Sequence, residues 1–206
     1  MNYKKIFNVV AVAAVSVVFS IGCNKPEDPP EDPPEDPVIP AVTPTPTKTD
    51  FTDGRDGTTY KKVTIGTQTW MAENLKYNAE GSVCYGERGA IYDSERDEYV
   101  DMLSESEVQA NCAKYGRLYT WDDAKTACPS GWRLPTDAEW TALTDAVGDE
   151  LTAGKKLKAA SGWANNGNGT DEYGFSALPG GYGYSDGDFG NAGNYGSWWS
   201  STESDA

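Results

Sequence analysis

The sequence has no histidine among its 206 residues. That absence removes the imidazole on which serine–histidine and cysteine–histidine nucleophilic sites, and most catalytic zinc sites, depend. Basic residues are also scarce, with 17 Lys and Arg against 32 Asp and Glu, a net charge of −15. Phosphate recognition needs a basic footprint, so nucleic acid and anionic membrane surfaces are excluded as partners, and the acidity suits a protein dissolved outside the cell. Cysteine is limited to Cys23, Cys84, Cys112 and Cys128. Long apolar stretches are missing except for residues 6–21, a run too short and too weakly flanked for a stable membrane span.

That run has a purpose of another kind. Lys4 and Lys5 precede it, and only Asn8, Ser16 and Ser20 interrupt it, the layout of an export signal over residues 1–23. It ends in Ser20-Ile21-Gly22-Cys23, similar to a bacterial lipobox, which predicts a lipidated Cys23 and a membrane-anchored lipoprotein at the outer membrane or cell surface. A plain secretory signal with Cys23 as a bystander is the alternative. Residues 24–50 then carry three Glu-Asp-Pro units and no aromatic residue. Proline fixes φ and the carboxylates repel, so this reads as a disordered, extended spacer reaching on the order of 80 Å at about 3.1 Å per residue.

Residues 51–206 hold all but three of the aromatic residues and have the length of one domain. The alternating, β-branched residues 59–65 and the segment 68–71 predict a hairpin. Residues 72–77 are expected to be helical, and 79–110 to be an acidic surface excursion with a short helix opening at Ser104. Thr120 with Asp123, and Thr136 with Glu139, are capping-box pairs that mark two helices, Gly148 ends the second, and residues 151–160 suggest a third. Beyond Ser161, glycines interleaved with aromatics predict tight loops around short strands, closing with a strand over 198–201. The class is α+β.

Three separated runs carry a resemblance: DGRDGTTYKKVTIGTQTWMAENL at 53–75, YGRLYTWDDAKTACPSGWRLPTDAEW at 115–140 and NGNGTDEYGFSALPGGY at 166–182. In this order they resemble the Fibrobacter succinogenes major paralogous domain, a module of bacterial surface and secreted proteins, across residues 51–206. GWRLPT and EW also look like elements of the formylglycine-generating-enzyme and C-type-lectin-like superfamily, which implies a C-type-lectin-like mixed fold. That superfamily's oxidation chemistry uses late cysteines, and none follows Cys128.

Cys84 and Cys112 flank the excursion and make a sensible disulfide, worth roughly 3 kcal/mol in the chain-entropy model. Cys128 is then left unpaired. The resemblance implies further strands and a late cysteine as its mate, so the domain reads as incomplete at its C-terminus.

For binding, Tyr182, Tyr184, Trp198 and Trp199 are the aromatics that could stack on sugar rings, although aromatics in a loop-rich domain more often form its core, which is the preferred reading. Gly183 stands where the family carries a basic residue. The oxygen-rich residues 165–172 reach calcium-loop density without EF-hand spacing, so calcium is a possible cofactor, while a turn bonding its own backbone explains the same residues and is the preferred reading. No other metal or cofactor is indicated. These readings converge on a non-catalytic surface module for a glycan or protein ligand. The alternatives are a structural envelope protein without a specific ligand and an enzyme built on carboxylates, for which no local pattern marks an acid–base pair.

Overall fold

A computed structural model describes residues 3–4, 19–25, 46–93, 96–100 and 102–203. Most of the export signal and of the spacer therefore lies outside the described residues. In chain order the elements are β1 (Tyr3–Lys4), β2 (Phe19–Ser20), β3 (Thr49–Thr52), β4 (Thr59–Ile65), β5 (Gln68–Met71), β6 (Ile91–Asp93), β7 (Glu98–Val100), α1 (Glu105–Tyr115), β8 (Leu118–Tyr119), α2 (Trp121–Ala127), α3 (Asp137–Val147), α4 (Glu150–Leu157), β9 (Tyr182–Gly183), β10 (Phe189–Gly190) and β11 (Trp198–Trp199). They form an α+β fold with three sheets, ordered β3-β4-β5, β1-β11-β2-β8 and β7-β6-β10-β9.

The β4–β5 hairpin forms where alternation predicts it, with Val63 and Ile65 in one apolar core and Tyr60, on the opposite face, in another. Sequence offsets also set the helix starts. Ser104 and Glu107 cap each other's orphan backbone amides at α1, and Thr136 and Glu139 do the same at α3. At α2 the Thr120 hydroxyl accepts from the Asp123 amide, and Asp149 caps α4 through the Leu151 and Thr152 amides.

Two expectations fail locally. Residues 72–77 are not helical, because their polar groups are bound to distant partners. The Asn74 amide donates to the Tyr115 carbonyl at 2.8 Å and accepts from the Trp198 indole at 2.9 Å, while Glu73 accepts from the Lys61 backbone N–H at 2.7 Å. The stretch 79–110 is not simply a surface excursion either. Val83, Cys84 and Tyr85 are buried, and Val83 and Tyr85 pack with Leu118 and Phe189 into a small apolar core.

The main core is built on tryptophan. Trp70 stacks on Trp140 with ring centroids 4.8 Å apart, and Phe175 sets its edge against both. Indole N–H groups buried with these rings need acceptors, and backbone carbonyls supply them: Trp140 donates to Trp199, Trp199 to Tyr119 and Trp163 to Ala177.

Candidate functional site

Trp198 and Trp199 are 1% and 0% exposed, so they cannot stack on an external ligand. This corrects their assignment as binding residues. Residues 198–199 form a strand inside the β1-β11-β2-β8 sheet, and both indoles are consumed by internal hydrogen bonds to Asn74 and Tyr119.

Tyr182 and Tyr184 lie elsewhere, in the sheet β7-β6-β10-β9. Its register aligns Tyr99 with Tyr92, Tyr92 with Gly190, and Gly190 with Tyr182, so these four positions form one row across four strands. Residues in register share a sheet face. The neighbouring row, Val100, Ile91, Phe189 and Gly183, turns to the opposite face, where Phe189 is 2% exposed and packs with Ile91 in the small core. The tyrosine row therefore turns away from that small core; Tyr99 is 59% exposed, Tyr92 and Tyr184 are half-buried, and Tyr182 packs against the neighbouring core of Met71, Tyr119 and Trp199.

Gly190 leaves a gap in the row, and the Tyr184 ring lies across it. A Cβ at position 190 would sit 3.5 Å from that ring and 3.7 Å from Tyr182. The rings touch in pairs: Tyr92 with Tyr99 at 5.4 Å between centroids, and Tyr182 edge-on to Tyr184 at 5.1 Å. Gly181, at φ +67°, lets the chain enter β9, because a Cβ there would meet the Gly190 carbonyl at 2.6 Å.

Hydroxyl groups line the same face. The Tyr182 and Tyr184 hydroxyls are 3.1 Å apart, the Asn191 amide donates to the Tyr182 hydroxyl at 2.6 Å, and the Tyr92 hydroxyl donates to the Asp97 carboxylate at 2.5 Å. Burial, reinforced by the bond to Tyr182, raises the Tyr184 hydroxyl well above the ordinary phenol range. The bond to Asp97 raises Tyr92. Both keep their protons at neutral pH, so they present uncharged hydrogen-bonding groups beside flat apolar rings. The chemistry suits a neutral polyhydroxylated ligand better than an anion.

Of these residues the sequence reading found Tyr182 and Tyr184 and missed Tyr92, Tyr99, Gly190 and Asn191. The segments Ile-Tyr-Asp and Glu-Tyr-Val do alternate, but the parallel pairing of β10 with β6, which aligns the row, carries no local signal.

The oxygen-rich turn at 165–172 is engaged with its own loop. The Asn168 side chain accepts from the Trp163 amide, the Asp171 carboxylate accepts from the Ser176 amide and hydroxyl, and the Asn165 amide donates to Asn194. Among the described residues no three acidic or cysteine side chains gather as a metal site.

The cysteines form two bridges. Cys84 is bonded to Cys112, and Arg117 covers that bridge with a guanidinium N–H 3.2 Å from the Cys84 sulfur. Cys128, expected to be unpaired, is bonded to Cys23. The sequence reading had set Cys23 aside for a lipid; in this structure its sulfur is buried and in a disulfide, which a lipidated thioether sulfur could not form.

No curated protein and no solved structure is significantly similar to the chain. The capped helices, the glycine–aromatic loops and the hairpin from Val63 onward fall within a match to one family model over residues 63–206, and the chain belongs to the Fibrobacter succinogenes major domain family.

Proposed function

We propose that the protein is an exported, lipid-anchored, non-catalytic surface module that binds a neutral glycan on the tyrosine row of β7-β6-β10-β9. The observation that carries this reading is the alignment of Tyr99, Tyr92 and Tyr182 on one sheet face, open to solvent at Tyr99, with Tyr184 bridging the gap at Gly190. Aromatic side chains place large, rigid contact area at low entropic cost, and the paired hydroxyls supply direction. Acidic Asp97 and Asp188 near the row oppose an anionic ligand.

The anchor rests on the apolar run 6–21 ending in Gly22-Cys23, with two or three acyl chains expected to hold the chain firmly at about 0.8 kcal/mol per buried methylene. Cys23→Ser should move the protein from the membrane to the soluble fraction, and unchanged retention would defeat the anchor. Binding is tested by titrating the protein with a panel of neutral polysaccharides, alone and as Tyr92→Ala. Affinity for at least one glycan, weakened by the substitution, is the expected result. No binding, or binding indifferent to Tyr92, would defeat the glycan reading.

A further inference from the structure

The two halves of the Cys84–Cys112 bridge stand in different surroundings. Cys84 lies in the segment between β5 and β6 and is 6% exposed, whereas Cys112 is half-buried in the last turn of α1. Arg117, with a side chain only 11% exposed, faces both sulfurs: its Nη1 donates to Cys84 Sγ at 3.2 Å and to Cys112 Sγ at 3.5 Å. The rest of the guanidinium is fixed. Nε donates to the Ser82 hydroxyl at 2.8 Å and Nη2 to the Ser82 carbonyl at 2.7 Å, while the Arg117 backbone N–H donates to the Leu75 carbonyl at 3.0 Å. Glu87 supplies the opposing charge, with its carboxylate 3.5 Å from Nη2 and accepting the Cys84 backbone N–H at 2.6 Å. On α1 the nearest cation, Lys114, lies over the Tyr115 ring.

A bridged sulfur is uncharged and a weak acceptor, so a guanidinium N–H held against it makes a poor bond. A thiolate in the same place accepts a charge-assisted one. Arg117 therefore favours the opened bridge over the closed one. Three asymmetries then agree on which sulfur carries the charge. Nη1 is closer to Cys84; the negative end of the α1 dipole disfavours a thiolate at Cys112; and Cys112 is the more open residue, the one an incoming thiol reaches. A thiol whose anion is stabilised is also the better leaving group in exchange.

We propose that Cys84–Cys112 is a thiol–disulfide exchange site, in which a substrate thiolate attacks the Cys112 sulfur and releases Cys84 as a thiolate held by Arg117. One S–S bond forms at Cys112 as the bridge breaks, so this step involves no net oxidation. A substrate with a second thiol completes the reaction. That second thiol, deprotonated by solvent, attacks the substrate sulfur of the mixed disulfide; Cys112 leaves as a thiolate and takes a proton from water. The dithiol departs oxidised to a disulfide, and the bridge remains reduced. The substrate class is a thiol, borne by a small molecule or by a protein cysteine. The site is independent of the tyrosine row and of the anchor.

The test mixes the full, oxidised chain with glutathione and, separately, with thioredoxin lacking its resolving cysteine, which distinguishes a small thiol from a protein one. After acid quenching, peptide mapping should find the adduct on Cys112. In that adduct the freed Cys84 should react with iodoacetamide with a pH midpoint about one unit or more below the ordinary thiol value of about 8.5. Arg117→Gln should raise this midpoint and slow adduct formation about tenfold, and Arg117→Lys should recover part of both. An adduct with thioredoxin but not glutathione would assign the site to protein thiols. An adduct on Cys84, a Cys84 midpoint at or above about 8.5, or no adduct with either thiol overturns the inference. These three readings are made on the unsubstituted chain, so they stand even where Arg117→Gln fails to fold.

Discussion

Two aromatic regions of this domain look alike in composition and differ in what happens to their polar tips. In the tryptophan core each ring is enclosed, and the indoles of Trp140, Trp163 and Trp199 donate to backbone carbonyls while Trp198 donates to Asn74. In the tyrosine row the hydroxyls bond chiefly to one another and to neighbouring side chains, and the rings are half-buried or, at Tyr99, exposed. An aromatic residue whose polar tip is satisfied by distant backbone is cementing the fold. One whose tip is satisfied beside other exposed tips is available for a ligand.

The sharpest way to break this contrast is at Trp140, which is fully buried. Trp140→Ala should cost about 3–5 kcal/mol, read as a lowered denaturation midpoint, because the cavity opens beneath both Trp70 and Phe175. A loss below about 1 kcal/mol would show that this cluster is not the structural centre. Next in size is the Cys84–Cys112 bridge beneath the tyrosine sheet. Cys84→Ser with Cys112→Ser should lower stability by roughly 3 kcal/mol, since a loop of 28 residues is released in the unfolded chain.

Charge pairs come third. The bonds from Arg55 hold the Asp53 carboxyl below the ordinary aspartate range, outweighing its burial. Burial pushes Glu139 up, but the bonds from Arg133 and the Thr136 amide more than offset it, so that Glu139 too is lowered. A depressed folded-state pKa stabilises above the unfolded value and is lost as pH falls through the folded one. Stability should therefore be level near neutrality and decline in acid below about pH 4, and Asp53→Asn should flatten that decline while costing about 1–3 kcal/mol at pH 7. An unchanged acid limb in the variant would remove Asp53 from this account.

The smallest expected effect on stability is at the tyrosine row. Tyr92→Ala should change stability by less than about 1 kcal/mol but weaken glycan binding about tenfold. Because Tyr92 and Tyr184 are raised, binding should hold constant with rising pH past the ordinary phenol range near 10, as far as the fold permits. Binding that falls off by pH 8 would contradict neutral hydroxyls as the recognising groups.

Much of the framework was legible in the sequence because it is set by neighbours in the chain. The offsets of Ser104 and Glu107, and of Thr136 and Glu139, fix two helix starts, and the alternation around Val63 fixes a hairpin. What escaped depends on partners far apart. Asn74 leaves the helical path to meet Tyr115 and Trp198, Cys128 joins Cys23, and the tyrosine row exists only after β10 aligns with β6. For Trp198 and Trp199 the sequence favours core without excluding a stacking role, because a two-residue strand between glycine-rich loops has no periodicity to reveal that both faces are covered.

The indole bonds span long stretches of sequence: 59 residues for Trp140 to Trp199, 79 for Trp121 to Ser200, 80 for Trp199 to Tyr119 and 124 for Trp198 to Asn74. Contacts of such separation demand loop closure before they return any stability, which places the domain among slow folders. A chain emerging from the ribosome cannot assemble its tryptophan core until residue 199 has appeared. Until then the aromatic side chains from Trp70 to Trp163 have no finished core to enter, and the chain stays loose.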